Sequence, residues 1–365
     1  MIHKDMMGIQ LDPAALMNEV NEVQQKIRQG MEHLGSMKDV EILIGTTPHE
    51  TVFQMDKVRL IKYEPTGGER LERPLLINYA LVNRPNMVDL QEDRSLVKNL
   101  LNLGITVYLI DWGYPSRADR CLTLEDYING YIDACVEFVR EAHNMEKINL
   151  LGICQGGVMA TCYTALHQEK IANLITMVMP VDFHITPDEI GGLLNCWMKD
   201  ADVDLMVDTL GNMPGDVMNF GYLLLKPYAL GVQKYVEMVD ILDKPKALTN
   251  FMRMEKWIFD SPDQAGEAFR SFNKQFYVEN KFIKGEVMIG DQRIDLGTIT
   301  LPVLNIYAEQ DHLVPPKSTL ALGKYIGSKD YTVQSFPVGH IGMYVSGKVQ
   351  QSLPPTIATW LKERT

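Results

Sequence analysis

The sequence INLLGICQGGVMA, residues 148–160, decides the fold, because a short apolar run passes there into a helical pattern across the turn G-I-C-Q-G-G. A nucleophile on such a strand-to-helix turn needs small neighbours two positions before and after it, where side chains would collide as the chain doubles back. Gly152 and Gly156 stand at these two positions. We predict a nucleophile elbow with Cys154 at its tip; the alternative is a buried structural cysteine beside a glycine-rich turn.

The elbow also predicts how Cys154 is activated. The turn places the sulfur at the N-terminus of the following helix, where the partial positive charge stabilises a thiolate. The backbone N–H of Gln155 is then positioned to donate to an oxyanion. A second backbone donor is expected from the loop after an earlier strand, and Val82 is our candidate.

Short apolar runs rich in β-branched residues recur on both sides of the elbow. They indicate strands buried on both faces, as in a parallel sheet. Helical patterns such as 93–104 and 124–143 lie between them, which indicates a doubly wound sheet. With the elbow, this predicts an α/β protein of the α/β-hydrolase fold with a mostly parallel sheet. The strand-like runs are PLLINYALV (74–82), ITVYLIDWG (105–113), INLLGIC (148–154), LITMVMPV (174–181) and PVLNIYAEQD (302–311).

The patterns divide the chain into three parts. Residues 1–45 are polar with helical apolar spacing, so we expect an N-terminal arm that packs on the core or docks a partner. Residues 46–182 and 298–365 are expected to form the catalytic core. The intervening 183–297 lacks the strand rhythm and is rich in Met and aromatic residues. We predict a mostly helical cap over the carboxyl edge of the sheet there, the alternative being a separate second domain.

The hydrolase fold predicts an acid and then a histidine after later strands. Asp311 follows the run PVLNIYAEQ, and His340 follows YTVQSFPVG. We predict that His340 takes the proton of Cys154 or holds it in an ion pair, while Asp311 orients the imidazole or assists a second proton transfer. Asp111 ends another strand and is either a turn residue or a substrate contact. The less favourably placed histidines are His143, His167, His184 and His312.

Composition narrows the classes of partner. The 365 residues carry a formal net charge of −12 without a basic run of the kind that binds nucleic acid phosphates. The five cysteines include no CxxC pair, so we expect neither a disulfide framework nor a metal site, and a reducing cytoplasm. The first residues lack a secretory signal, and no run reaches the ~20 apolar residues of a membrane span.

Cysteine in place of serine favours acyl transfer over hydrolysis. A thiolate exchanges acyl groups with a thioester at little thermodynamic cost, and it leaves readily when an alcohol attacks. We therefore expect transfer from an acyl-CoA to a hydroxyl. Two alternatives remain open: a thioesterase or other hydrolase with the same three residues, and a non-catalytic binding or scaffold protein, against which the intact Cys–Asp–His set argues.

Several long motifs resemble the catalytic (PhaC) subunit of polyhydroxyalkanoate synthases, in particular the short class III type. That family carries cysteine where lipases carry serine, and Cys154, Asp311 and His340 match its cysteine, acid and histidine. The similarity runs from about residue 40 to the C-terminus and is weaker near 185–240. The motifs are INYALVNRP, DRSLVKNLL, VYLIDWGYPSRADR, LTLEDYINGYID, INLLGICQGG, MEKWIFDSPDQAGE, PVLNIYAEQDHLVPP and FPVGHIGMYVSGK.

The resemblance implies a reaction and partners. (R)-3-Hydroxyacyl-CoA, usually 3-hydroxybutyryl-CoA, would load its acyl group onto Cys154 and release CoA, so no cofactor beyond the substrate's own CoA is expected. A chain hydroxyl would then attack the thioester; the family assigns its activation to the acid and activation of the cysteine to the histidine. The resemblance also implies a PhaE-type second subunit, a homodimer or hetero-oligomer, and a cytoplasmic location at the surface of polyester granules.

Overall fold

The computed structural model of the chain describes residues 13–36, 42–185 and 192–364. The predicted arm lies partly outside the described residues, at 1–12 and 37–41, as does the predicted cap, at 186–191. The chain forms two compact units. The first comprises Met1–Leu43 and Lys226–Lys256, and the second comprises Ile44–Leu225 and Trp257–Thr365.

The strands of the described residues all belong to the second unit. They are β1 (Glu50–Met55), β2 (Val58–Tyr63), β3 (Leu75–Asn78), β4 (Asp89–Gln91), β5 (Arg94–Ser95), β6 (Val107–Asp111), β7 (Ile148–Ile153), β8 (Ile171–Met177), β9 (Val287–Ile289), β10 (Gln292–Ile294), β11 (Val303–Ala308) and β12 (Tyr331–Phe336). Eight of them form one sheet in the order β1-β2-β6-β3-β7-β8-β11-β12. The strand β2 pairs antiparallel with both β1 and β6, and the other five pairings of this sheet are parallel. The predicted mostly parallel sheet is confirmed.

The observed strands are shorter than the apolar runs that predict them. β3 ends at Asn78, although its run continues to residue 82, and a loop follows beside the elbow. β7 is buried at all six of its residues, as expected for a central parallel strand covered on both faces. The edge hairpin β1–β2 escapes the sequence prediction because most of β1 is exposed and carries no continuous apolar run.

Helices complete the layers around the sheet. Two of the helical stretches contain π-helical segments, at Asp126–Ile132, within the predicted helix 124–143, and at Asn273–Val278, within the predicted cap. No helix within the described ranges combines the length and the apolar character needed to cross a bilayer. The α-helices are α1 (Pro13–Ser36), α2 (Leu96–Asn102), α3 (Asp133–His143), α4 (Gln155–Leu166), α5 (Leu193–Lys199), α6 (Val203–Leu210), α7 (Gly215–Leu224), α8 (Lys234–Met238), α9 (Pro245–Phe259), α10 (Gly266–Phe272), α11 (Lys281–Lys284), α12 (Pro316–Leu320), α13 (Leu322–Tyr325), α14 (Gly342–Val345) and α15 (Gly347–Lys362).

Helix α4 follows the elbow and is almost wholly buried. Its first ten residues, from Gln155 to Thr164, are all buried. A helix that is apolar on every side must be covered on every side, which explains why this segment shows no amphipathic stripe. Cys154 therefore sits at the start of a helix whose first ten residues are all buried.

Part of the predicted cap belongs to the same unit as the sheet. Trp257 donates from Nε1 to the carbonyl of Arg84 at 2.8 Å, and Tyr114 donates from its hydroxyl to Asp260 Oδ1 at 2.6 Å. Arg84 and Tyr114 lie on the loops that follow β3 and β6, at the carboxyl edge of the sheet. The segment also contains the small hairpin β9–β10, which differs from the predicted absence of strands.

The described part of the first unit is helical. A Cβ added at Gly30 of α1 would lie 2.6 Å from Leu242 Cδ2, so these segments pack closely. Lys234 Nζ and the Tyr235 hydroxyl each bond the Glu255 carboxylate at 2.8 Å. Both close packing and a shared carboxylate therefore hold this unit together.

Candidate active site

Cys154 occupies a strained turn between β7 and α4. Its backbone has φ 54° and ψ −125°, a region that residues other than glycine rarely adopt. Its N–H donates to the carbonyl of Met177 on β8 at 2.9 Å, and its own carbonyl accepts from Gly157 N at 2.9 Å. Hydrogen bonds on both sides therefore hold the strained residue, and the half-buried thiol lies at the N-terminus of α4.

The two predicted elbow glycines are required by close backbone approaches. A Cβ at Gly152 would lie 2.5 Å from the Cα of Gly157, as expected where the chain doubles back. A Cβ at Gly156 would lie less than 3.0 Å from the backbone carbonyl oxygens of Asn78 and Tyr79. The end of β3 and the residue that follows it therefore leave no room for a side chain at Gly156.

Asp311 and His340 form a buried pair. His340 Nδ1 lies 2.7 Å from Asp311 Oδ2, and the two side chains are 7% and 1% exposed. The other carboxylate oxygen of Asp311 accepts from the N–H groups of Leu313 and Val314, each at 2.9 Å. Asp311 is thus fully engaged in holding the imidazole and its own loop.

The charge of the pair determines the state of His340. Burial by itself lowers the pKa of His340, but the Asp311 carboxylate raises it through its charge and its hydrogen bond. A hydrogen bond with the Cys154 thiol raises it further, and the pKa of His340 reaches about 10. Because Nδ1 faces Asp311, Nε2 is the nitrogen left for Cys154. The three residues predicted from the sequence are therefore together in space.

The loop after β3 is fastened to the elbow by the Gln155 side chain. Gln155 is 8% exposed, and its Oε1 accepts from the Leu81 N–H at 3.1 Å. The Leu81 N–H is therefore not available to an oxyanion. The N–H of the next residue, Val82, remains the predicted second oxyanion donor. The sequence predicted a backbone role for Gln155 but not this side-chain contact.

Two tyrosines at the site were not predicted. The rings of Tyr79 and Tyr344 meet edge to face with centroids 6.3 Å apart, and Tyr344 lies 6.3 Å from the His340 ring. Burial, and in smaller part the charge of Cys154, raises the pKa of both phenols. A sequence signal existed for Tyr344, which stands four residues after the predicted catalytic His340, but not for Tyr79, which lies inside the apolar run 74–82.

Asp111 is a turn residue. Its carboxylate accepts from the Gly113 N–H at 3.1 Å and from Arg84 at 2.9 Å. Arg59 of the neighbouring strand also bonds it, at 2.5 Å. Because Asp111 is 2% exposed and bonded on both oxygens, the turn alternative is the one that the structure favours over a substrate contact.

Three of the rival histidines have partners of their own. Each ring uses a nitrogen to bond a group outside the triad: His143 with the Tyr108 hydroxyl (2.9 Å), His167 with Asn129 Oδ1 (3.2 Å) and His184 with the Tyr277 carbonyl (2.9 Å). His340 is therefore the histidine that the fold joins to Cys154.

The raised pKa of His340 predicts a pH-dependent contribution to stability. The pKa of His340 is about 6.5 in the unfolded state and about 10 in the folded state. Its ionisation therefore stabilises the fold fully at pH values below the unfolded pKa, and this contribution is lost as the pH rises through the folded pKa. We expect the free energy of unfolding of the wild type to exceed that of His340→Gln most at pH 6. The difference should shrink toward pH 10 in urea titrations.

A second histidine supplies the control for this prediction. Burial lowers the pKa of His143, so its ionisation affects stability only below its unfolded value. His143→Gln should therefore show a constant difference from the wild type above pH 7. A constant difference for His340→Gln over the same range would contradict the assignment.

Comparison with known families agrees with the observed fold. The family model of the alpha/beta hydrolase fold matches residues 73–346. Among solved structures, a monoacylglycerol lipase from Paleococcus ferrophilus has a TM-score of 0.53 at 16% identity and covers 84% of this chain and 99% of its own. A hydrolase from Pseudomonas aeruginosa PA01 has a TM-score of 0.53 at 13% identity, with 87% and 99% covered. These likenesses show the fold alone.

Full-length relatives identify the family more closely. A second family model, for the N-terminus of poly-beta-hydroxybutyrate polymerase (PhaC), matches residues 10–100. The poly(3-hydroxyalkanoate) polymerase subunit PhaC of Synechocystis is 56% identical over 95% of this chain and 93% of its own. The subunit of the same name from Allochromatium vinosum is 55% identical, over 98% and 100%. The resemblance seen in the sequence is thus confirmed, and this chain belongs to the family of poly(3-hydroxyalkanoate) polymerase subunits PhaC.

Proposed function

We propose that this chain polymerises (R)-3-hydroxyacyl groups, taken from their CoA thioesters, through a thioester on Cys154. The observation that carries the proposal is a cysteine at the elbow, close enough to the buried His340–Asp311 pair to raise the pKa of His340, in a chain whose full-length relatives are polymerase subunits. 3-Hydroxybutyryl-CoA is the substrate that the family resemblance favours. No cofactor besides the substrate's own CoA group takes part in the cycle.

In the loading step, the Cys154 thiolate attacks the thioester carbonyl of the acyl-CoA. The raised pKa of His340 keeps the imidazole protonated at neutral pH, so a positive charge faces the sulfur. When the tetrahedral intermediate collapses, the CoA thiolate leaves and accepts the proton of His340. The products of this step are free CoA, neutral His340 and an acyl thioester on Cys154.

In the transfer step, a chain hydroxyl attacks the acyl thioester. His340 is now neutral and accepts the hydroxyl proton, the new ester forms, and the Cys154 thiolate leaves. This assigns the base role to His340 and not to Asp311, because the Asp311 carboxylate is 1% exposed and already accepts three hydrogen bonds. The cycle ends with the same ion pair that began it.

Under the proposed function, the Gln155 side chain positions the loop that carries Val82, the second proposed donor of the oxyanion hole. Gln155→Leu removes the acceptor that holds the Leu81 N–H, and a loop displaced by about 1 Å costs on the order of 100-fold in rate. We expect kcat for CoA release to fall about 10- to 100-fold, while iodoacetamide alkylates Cys154 at the wild-type rate. Unchanged kcat, or alkylation that falls in parallel, would contradict this role.

A matched control, Gln168, lies at the amino ends of the strands, opposite the proposed active site. Gln168 also accepts a backbone N–H through its side chain, from Thr300 at 2.9 Å, in the segments that precede β8 and β11. Gln168→Leu should leave both kcat and alkylation unchanged.

We also propose that the chain works with a PhaE-type second subunit at a polyester granule surface in the cytoplasm. Helix α7 supports an apolar contact, since Val217, Phe220 and Leu224 are 47%, 63% and 42% exposed and follow helical spacing along one side. A surface of this kind marks an interaction site in many proteins. The isolated chain should accordingly be less active than the same chain mixed with the second subunit.

One assay tests the whole proposal. The purified chain, with and without the second subunit, is given (R)-3-hydroxybutyryl-CoA, and CoA release and insoluble polyester are measured together. The proposal requires both, in proportion. CoA release with free hydroxy acid only would instead indicate a thioesterase, and no release in either mixture would contradict the substrate.

A further inference from the structure

One buried hydroxyl at the active site lacks a partner. Tyr344 is 1% exposed, and its Oη has no partner in hydrogen-bond geometry among the described residues. Tyr79 lies near enough that its charge and its hydroxyl both raise the pKa of the Tyr344 phenol, but the two hydroxyls do not meet at the distance and angles of a full hydrogen bond. A buried hydroxyl without a partner is costly, so a native site that keeps one invites a ligand atom to complete it.

The position of Tyr344 restricts which ligand this is. Tyr344 lies on α14, with its ring centroid 6.3 Å from that of His340, and the charges of Cys154 and Asp311 both act on its phenol. The hydroxyl therefore lies near the groups that would react. Burial raises the pKa of the phenol well above its usual range, so it remains a hydrogen-bond donor at any pH at which the enzyme works.

A 3-hydroxyacyl group has one oxygen besides the thioester oxygen that the Tyr344 hydroxyl could bind. Under the proposed function, the backbone N–H groups of Gln155 and Val82 take the thioester oxygen. The other polar atom of a 3-hydroxyacyl group is the oxygen on carbon 3, which is also the atom that must reach the base His340. An acyl group without this oxygen would leave Tyr344 Oη unpaired.

We propose that Tyr344 Oη hydrogen-bonds the oxygen on carbon 3 of the acyl group and so selects 3-hydroxyacyl over unsubstituted acyl substrates. The inference rests on the proposed function. It makes Tyr344 a residue that contacts substrate and orients the hydroxyl toward His340. Tyr79 packs against Tyr344 and limits the positions that its ring can take.

The test compares two substrates on Tyr344→Phe, a change that removes the hydroxyl and keeps the ring. Butyryl-CoA lacks the oxygen on carbon 3, and it reports only the loading of Cys154 through a single burst of CoA. We expect kcat/KM for (R)-3-hydroxybutyryl-CoA to fall about tenfold or more. The burst rate with butyryl-CoA should stay within about twofold of the wild type.

Two controls separate this role from others. Tyr108→Phe removes another buried hydroxyl, the one bonded to His143, and should change neither rate. If Tyr344→Phe lowered the rates with both substrates equally, Tyr344 would act on His340 or Cys154. If it lowered neither rate, Tyr344 would only fill space. Each of these results would overturn the inference. A wild type that forms no polyester would contradict the proposed function itself, which distinguishes the two failures.

Discussion

Cys154→Ala is expected to abolish CoA release and polyester formation together, by about 10⁴-fold or more. The reason is that the sulfur is both the attacking atom and the carrier of the acyl group, so no other group can complete either step. The measurement is CoA release by thiol titration, with polyester weighed from the same reaction. Substantial polymer from the variant would contradict the assignment of the nucleophile.

Another cysteine of the same helix is the matched control. Cys162 lies on α4, is fully buried, and its burial raises the pKa of the thiol far above the usual range. A thiol in that state is neither exposed nor ionised and has no role in transfer. Cys162→Ala should therefore retain activity, apart from a modest loss of stability from the small cavity.

Gly156→Ala is expected to destabilise the fold by more than about 3 kcal/mol and to eliminate activity. The added Cβ would meet the backbone carbonyls of Asn78 and Tyr79, and backbone atoms cannot rotate away as a side chain can. Asn78 also donates from Nδ2 to the Gly156 carbonyl at 2.8 Å, which holds the two segments in contact. Urea unfolding, followed by circular dichroism, measures the loss.

A glycine with free space around it provides the comparison. Gly221 lies within α7, and a Cβ there would meet nothing within 4 Å. Gly221→Ala should be neutral or stabilise the protein by up to about 1 kcal/mol, because alanine favours the helix. If Gly156→Ala unfolded within about 1 kcal/mol of the wild type, the close packing of the elbow against β3 would be wrong.

The sequence predicts the parts of the site that depend on local chemistry. Cys154 is found because its two glycines and the change of period are adjacent in the chain. Asp311 and His340 are found because the fold sets their order after late strands. Their meeting at 2.7 Å follows from the parallel pairing of β11 with β12, which brings both strand ends to one edge.

The parts that depend on distant contacts are not predictable in this way. The bond from the Gln155 side chain to Leu81 joins residues 74 positions apart. The unpartnered hydroxyl of Tyr344 is a property of its surroundings, since the same residue type is fully satisfied at Tyr163 by Asp133. The end of β3 at Asn78, which bonds the carbonyl of Gly156 in the elbow, is likewise not visible in the sequence, because the apolar run continues to residue 82.

Both proposed steps pass through the acyl thioester on Cys154, and peptide mass spectrometry can detect this intermediate. The enzyme is mixed briefly with (R)-3-hydroxybutyryl-CoA, quenched in acid and digested. We predict a hydroxybutyryl group, or short oligomers of it, on the peptide that contains Cys154, removable by neutral hydroxylamine. Polyester formation with Cys154 unmodified, or with the acyl group on another residue, would contradict it.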